Sequence, residues 1–364
     1  MKTKYIFYLF GIVFVIGSFA WIGINRLSDE DLNPSTNLKA ENAKPIDVLL
    51  LFALPASGKS EVCRYLENLS AKESKDNFGI GKTVHLDDFP YVHIMRRISA
   101  ELIKHGQKGT FFLAENLPFK NPKDWGTLIN LVNEDYLDLV NQNKPAPKSA
   151  AKWVMNRLDA ARTKVGAEPE LGKLPKTLRN KIANAIEDDA AKLLKNKVSK
   201  LTSNLEGKTV VIEFSRGGAE NAQMPLQAPC GYQYSLSQLC PEILEKASVL
   251  YIWVTPEESR RKNEARAKPD EKGSNLHHCV PKIVMRNDYG CDDIDWMLKV
   301  SGKPNTVKIE AHGNVYHLPL GRFDNRVDKT TFTHKDKSEW TKENVTDLRK
   351  SLEVAFAPLT NSQA

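Results

Sequence analysis

Val48-Leu49-Leu50-Leu51-Phe52 runs without interruption into Ala53-Leu54-Pro55-Ala56-Ser57-Gly58-Lys59-Ser60, and Glu61 to Leu69 then reads as a helix. A short apolar run, a loop of small residues and a helix start, in that order, are the context a phosphate-binding loop needs. Such a loop directs several backbone N–H donors at one point and adds the positive end of the helix dipole. Gly58 permits the close approach, Lys59 is placed to reach the terminal phosphates, and the Ser60 hydroxyl is placed on Mg²⁺. The first motif position, ordinarily Gly, is Ala53 here, which the turn tolerates if its φ is negative. The expected cofactor-binding set is therefore Ala53, Pro55, Ala56, Ser57, Gly58, Lys59, Ser60 and Glu61.

Working outward, four further apolar runs stand apart: Thr83 to Leu86, Val210 to Phe214, Val249 to Val254, and Val315 to Leu320. Strands alternating with helical patterns predict a parallel sheet covered on both faces, because parallel connections require crossovers. The expectation is an α/β fold with a five-stranded parallel sheet and a folded region over 46–325. The stretch 91–207 is too long for a loop and is expected to be a helical insertion. Within it Val154, Leu158, Ala161 and Val165, and then Leu178, Ile182, Ile186, Leu193 and Leu201, recur at helical spacing, the pattern of helices packed on one another. A last amphipathic helix is expected over 338–356 within a C-terminal region 326–364, with Val345, Leu348, Leu352 and Ala355 on one side.

The N-terminus sets the expected topology. No charged residue occurs from Tyr5 to Ile24, long enough to cross a hydrocarbon core as a helix. The alternative for residues 1–26 is a cleaved signal peptide with Ser18-Phe19-Ala20 at the cut. An uncleaved anchor at residues 5–24, a polar linker over 27–45 and a cytoplasmic domain behind them is the favoured arrangement, and export after cleavage is the other.

The formal net charge is +7, and residues 144–208 hold 15 Lys and Arg against 7 Asp and Glu, an excess of 8 that covers all of it. With no aromatic interleaving and no nucleic-acid motif, that stretch reads as solvated helical faces, and nucleic-acid binding is not expected. The five cysteines are odd in number, widely spaced and form no C-x-x-C, which argues against a disulfide scaffold or zinc ribbon and suits a reducing compartment. His277-His278-Cys279 lacks partner cysteines at ligand spacing, so no zinc is expected there. Tyr289-Gly290-Cys291-Asp292-Asp293-Ile294-Asp295-Trp296 reads as a structural turn and helix start.

The phosphate loop, followed by His85-Leu86-Asp87-Asp88-Phe89-Pro90, resembles the P-loop nucleoside and nucleotide kinases over roughly residues 46–322. The resemblance implies a three-layer fold with strand order 2-3-1-4-5, and that Asp87, at the end of the second strand, receives the proton of an attacking hydroxyl, with Asp88 beside the metal or the acceptor. Val211-Ile212-Glu213-Phe214-Ser215-Arg216-Gly217-Gly218 looks like the Walker B strand of those kinases, which implies Glu213 on Mg²⁺ through water and Arg216 on the acceptor. In nucleotide kinases the helix and lid corresponding to 256–280 carry closing arginines, which implies catalytic roles for Arg261 and Arg266. The function so implied is ATP- and Mg²⁺-dependent phosphoryl transfer to a small acceptor, with the basic insertion pointing to an anionic one. Two other functions fit the same loop: a membrane-attached nucleotide switch or ATPase acting on a protein, and an exported non-enzymatic protein with a decayed loop. The oligomeric state is not legible.

Overall fold

The computed structural model describes residues 45–201, 204–266 and 279–361. The anchor or signal segment, most of the linker, the lid residues 268–274 and His277-His278 lie outside the described residues. No described helix is long and apolar enough to cross a membrane.

The chain opens with β1 (Val48–Phe52), buried at every position, and the loop delivers it into α1 (Lys59–Glu67). Ser70 and Glu73 form a reciprocal capping box that starts α2 (Ala71–Phe78), and Gly79 ends it in the left-handed region before β2 (Lys82–Asp87). Four long helices follow, α3 (Phe89–Lys104), α4 (Asp124–Asn141), α5 (Ala150–Lys164) and α6 (Lys176–Ser199), before the chain returns as β3 (Lys208–Phe214). Short α7 (Gly231–Ser237) and α8 (Pro241–Leu244) lead to β4 (Ala247–Trp253) and then α9 (Pro256–Arg266). Beyond them come α10 (Lys282–Asn287), α11 (Ile294–Val300), β5 (Thr306–Ala311), β6 (Asn314–Asp324) and α12 (Lys342–Asn361).

The protein is α/β, with one six-stranded sheet in the order β2-β3-β1-β4-β6-β5. The five runs read as strands are parallel neighbours in the expected order, and β5 pairs antiparallel with β6. The expected five-stranded sheet is thus corrected to six. Thr306-Val307-Lys308-Ile309-Glu310 was illegible as a strand because it alternates two apolar residues with charged ones, the pattern of an edge with one face in water. His312 and Gly313, both at positive φ, close the hairpin.

Alternation along the strands sends one set of side chains to each face. Leu50, Phe52, Ile212 and Phe214 pack with residues of α4, α7, α8 and α11, whereas Leu49, Leu51, Val211 and Ile252 pack with α1, α2 and α12. In α12 the expected stripe is present, with Leu348, Leu352 and Ala355 buried. Gly321 of β6 lies so close to that helix that a Cβ would sit 1.7 Å from the Ala355 carbonyl oxygen.

The helical insertion has its own core. Val154, Leu158 and Ala161 of α5 meet Ile182, Ile186 and Ala190 of α6 and Ile94, Met95 and Ile98 of α3. Part of its basic excess is buried in ion pairs: Arg157 meets Glu134 and Asp135 at 2.9 Å each, and Lys197 meets Asp135 at 2.5 Å and Asp138 at 2.8 Å. Arg162 lies 3.2 Å from the buried Asp124. Those cations tie helices together rather than facing a ligand.

Candidate phosphate and acceptor site

The loop between β1 and α1 is pinned from outside. The Tyr232 hydroxyl accepts from the Ala53 amide at 3.0 Å and donates to the Ala53 carbonyl at 3.1 Å. Ser259 Oγ donates to the Pro55 carbonyl at 2.7 Å, and Asn325 Nδ2 to the Ser57 carbonyl at 2.8 Å. The carbonyls of the loop thus point away, into the protein. The amides of Gly58, Lys59 and Ser60 have no acceptor among the described residues, as the first amides of a helix do not. The Ser57 hydroxyl is buried beside them without a partner. Ala53 is not at positive φ, the condition its place in the motif set. Gly58 is, at 108°, and a Cβ there would lie 2.7 Å from Asn325 Nδ2 and 2.9 Å from Thr330 Oγ1.

Lys59 is half-buried and donates to Ser215 Oγ at 2.5 Å and to the Ala53 carbonyl at 3.4 Å. Burial pulls its ammonium below the usual lysine range, and the carboxylates of Glu213, Asp87 and Asp88 work in the opposite direction. Asp87 and Glu213 are register partners on β2 and β3. Burial is the largest cause raising Asp87, with Asp88 and Glu213 adding to it, and its carboxyl is pushed up to about 7. Glu213 goes the other way: burial opposes ionisation, but His85, Lys59 and Cys63 together hold it below the ordinary value.

Lys59, Ser60, Asp87, Asp88, Glu213, Arg216 and Arg266 all border one cavity of about 200 Å³. Its far wall comes from the insertion and α10: Phe112, Phe119, Trp125, Val284 and Tyr289. Phe119 stands edge-on to Trp125 at 4.9 Å, and Trp125 edge-on to Tyr289 at 5.8 Å. Two ionisable groups interrupt the apolar lining. Arg96 stacks on Phe112 at 4.0 Å, and burial pushes Asp288 up to about 6.

Arg216, expected on an acceptor, is only 2% exposed and lies 2.8 Å from Asp88. Its Nε donates to Ser235 Oγ at 3.0 Å and its Nη1 to the Ser215 carbonyl at 2.7 Å, and the guanidinium lies 4.8 Å from the Trp125 ring centroid. The pair forms part of the cavity wall with its charges already satisfied. Asp88→Ala would strand that guanidinium in the interior and is expected to cost about 3 kcal/mol. Urea unfolding would measure it, and a loss below about 1 kcal/mol would contradict so tight a pairing.

A second cavity, about 380 Å³, lies on the other side of the loop, lined by Gly58, Glu61, Arg261, Arg266, Thr330 and His334 among others. Glu61 is buried there between Arg266 at 3.0 Å and His334 at 2.8 Å. Burial opposes its ionisation, but the His334 hydrogen bond and Arg266 outweigh burial and depress the carboxyl. Arg266 therefore borders both cavities. Arg261 borders the second alone, exposed and bound through two 2.7 Å hydrogen bonds to Glu258.

Sequence reading did not find Phe112, Phe119, Trp125, Asp288 and Tyr289 in the first cavity, or Asn325, Thr330 and His334 behind the loop. The aromatic residues look like ordinary core in the sequence, and the last three sit in a segment without periodicity. Comparison of the chain with family models, with curated proteins and with solved structures finds no match.

Proposed function

We propose that the chain transfers a phosphoryl group from Mg²⁺-bound ATP to a hydroxyl of a small acceptor held in the aromatic cavity, as a kinase of the P-loop three-layer kind. The observation that carries this reading is the set of unengaged amides at Gly58, Lys59 and Ser60, opening beside a cavity shared by Lys59, Asp87 and Glu213. Three such donors at a helix start bind a polyphosphate, and Lys59 adds a half-buried positive charge.

The residues present fit Mg²⁺: the Ser60 hydroxyl and the Glu213 carboxylate offer oxygen only, the donor type that hard ion takes. When bound, it neutralises charge that builds on the phosphate oxygens. Asp87, held near 7 by its surroundings, takes the proton as the acceptor oxygen bonds to phosphorus and the bond to the leaving nucleotide oxygen breaks. Arg266, at the border of both cavities, neutralises charge on the moving group. The nucleotide's remaining part takes the second cavity, beside Thr330 and His334.

The aromatic wall favours an acceptor with an apolar ring and few charges, in place of the anionic one the basic insertion suggested. Arg216 is neutralised by Asp88, and the basic residues that are buried bind other helices.

Calorimetry on the full chain should show Mg²⁺·ATP binding, and a screen of small ring alcohols should find ATP consumed only when an acceptor is present. Hydrolysis that no small acceptor stimulates would favour the switch reading, and absence of nucleotide binding would end both.

A further inference from the structure

Behind the phosphate loop, on the face of the sheet that α1 covers, three side chains with metal-binding atoms meet that the kinase reading does not use together. Cys63 and Glu67 stand one turn apart on α1, His85 is on β2 and Glu213 on β3. Cys63 Sγ lies 3.4 Å from Glu213 Oε1, and His85 Nδ1 lies 3.5 Å from the same oxygen. The ligand atoms of Cys63, His85 and Glu213 all fall within 4.8 Å of one another. We infer that Cys63, His85 and Glu213 form a binding site for a zinc-class divalent cation, with Glu67 orienting His85.

Two of the three spacings are those of a coordination shell. Metal–ligand distances of about 2.0–2.3 Å in a tetrahedron place neighbouring ligand atoms roughly 3.3–3.7 Å apart. The two separations to Glu213 Oε1 lie within that span, whereas 3.5 Å is long for a hydrogen bond from an imidazole to a carboxylate. One sulfur, one imidazole nitrogen and one carboxylate oxygen make a donor set that selects Zn²⁺ over Mg²⁺.

The surroundings are those of a metal-bound histidine. His85 Nε2 lies 3.3 Å from Glu67 Oε1, so the outer ring nitrogen faces a carboxylate while Nδ1 faces inward. That arrangement fixes the ring and strengthens the inner nitrogen as a ligand. Cys63 is buried, and a metal there would take its thiolate, releasing the thiol proton. Three protein ligands leave the fourth position to water, which reaches the site where His85 is partly exposed.

This site shares Glu213 with the proposed Mg²⁺ position, and its test uses no nucleotide. The full chain, freed of metal, is titrated with Zn²⁺ alone by calorimetry and with Co²⁺ in the visible and near-ultraviolet. One equivalent should bind, and Co²⁺ should show a thiolate charge-transfer band. Cys63→Ser should abolish that band, His85→Ala should lose stoichiometric binding, and Glu67→Gln should weaken it about 10–100-fold. The wild-type cobalt spectrum needs no variant, and thermal unfolding checks that each variant is folded. No stoichiometric binding by the wild type, or a band that persists in folded Cys63→Ser, would overturn the site while leaving the phosphate loop untouched.

Discussion

Lys59→Met is expected to lower acceptor-dependent ATP consumption by about 10³-fold, with the folded state intact, because a preorganised charge aimed at the phosphates is worth roughly that much in a dry site. Methionine keeps the length and volume of the buried stem and removes only the ammonium. That ammonium donates to Ser215 Oγ and to the Ala53 carbonyl, so it is fixed in place before any phosphate arrives. A fixed cation needs no reorganisation when charge develops, which is why its loss falls on kcat as well as on nucleotide affinity. Steady-state kinetics with Mg²⁺·ATP, paired with thermal unfolding, separates the two effects. Activity within tenfold of wild type in a folded Lys59→Met protein would remove Lys59 from the chemistry and, with it, the kinase reading.

The loop and strands that hold Lys59 were legible because their signals are local. A buried strand, a loop of small residues and a helix start follow one another within about two dozen residues, and each is written in side-chain type alone. That the strands run parallel followed from the alternation of strand and helix, and their order from the resemblance to the P-loop kinases. Pairings distant in the chain were not legible. The pairing of Arg216, expected on the acceptor, with Asp88 was not legible, because Asp88 is far away in sequence and becomes a neighbour only when β2 and β3 align. The acceptor wall was hidden for a related reason. Phe112, Phe119 and Trp125 belong to the insertion and Tyr289 follows α10, and nothing in a lone sequence separates an aromatic that fills a core from one that borders a cavity. His85 and Cys63 carried no motif spacing, since strand and helix present them to each other from different elements.

Asp87→Asn is expected to move activity and stability in opposite directions. For activity, the base must be ionised, so kcat/KM for wild type should rise with pH and level off above an apparent pKa of about 7. The Asn variant should lose that limb and fall about 10²–10⁴-fold at its plateau. For stability, the sign follows from proton binding: the folded carboxyl titrates near 7 and the unfolded one at its ordinary value of 3.8. Between those values the native state holds the extra proton, so the stability linked to Asp87 is complete below 3.8 and is lost as pH rises through about 7. Asn, always neutral and still able to accept the 2.8 Å hydrogen bond from the Phe89 amide, escapes that loss. The variant should therefore be the more stable protein at pH 8, by on the order of 1–4 kcal/mol, with the gap closing toward pH 4. Urea unfolding across that range and the pH profile of kcat/KM are the two measurements. A carboxylate that only braced the strand end would, on removal, leave the pH profile unchanged, so a flat wild-type profile, or an Asn variant less stable at pH 8, would show that Asp87 is not the base.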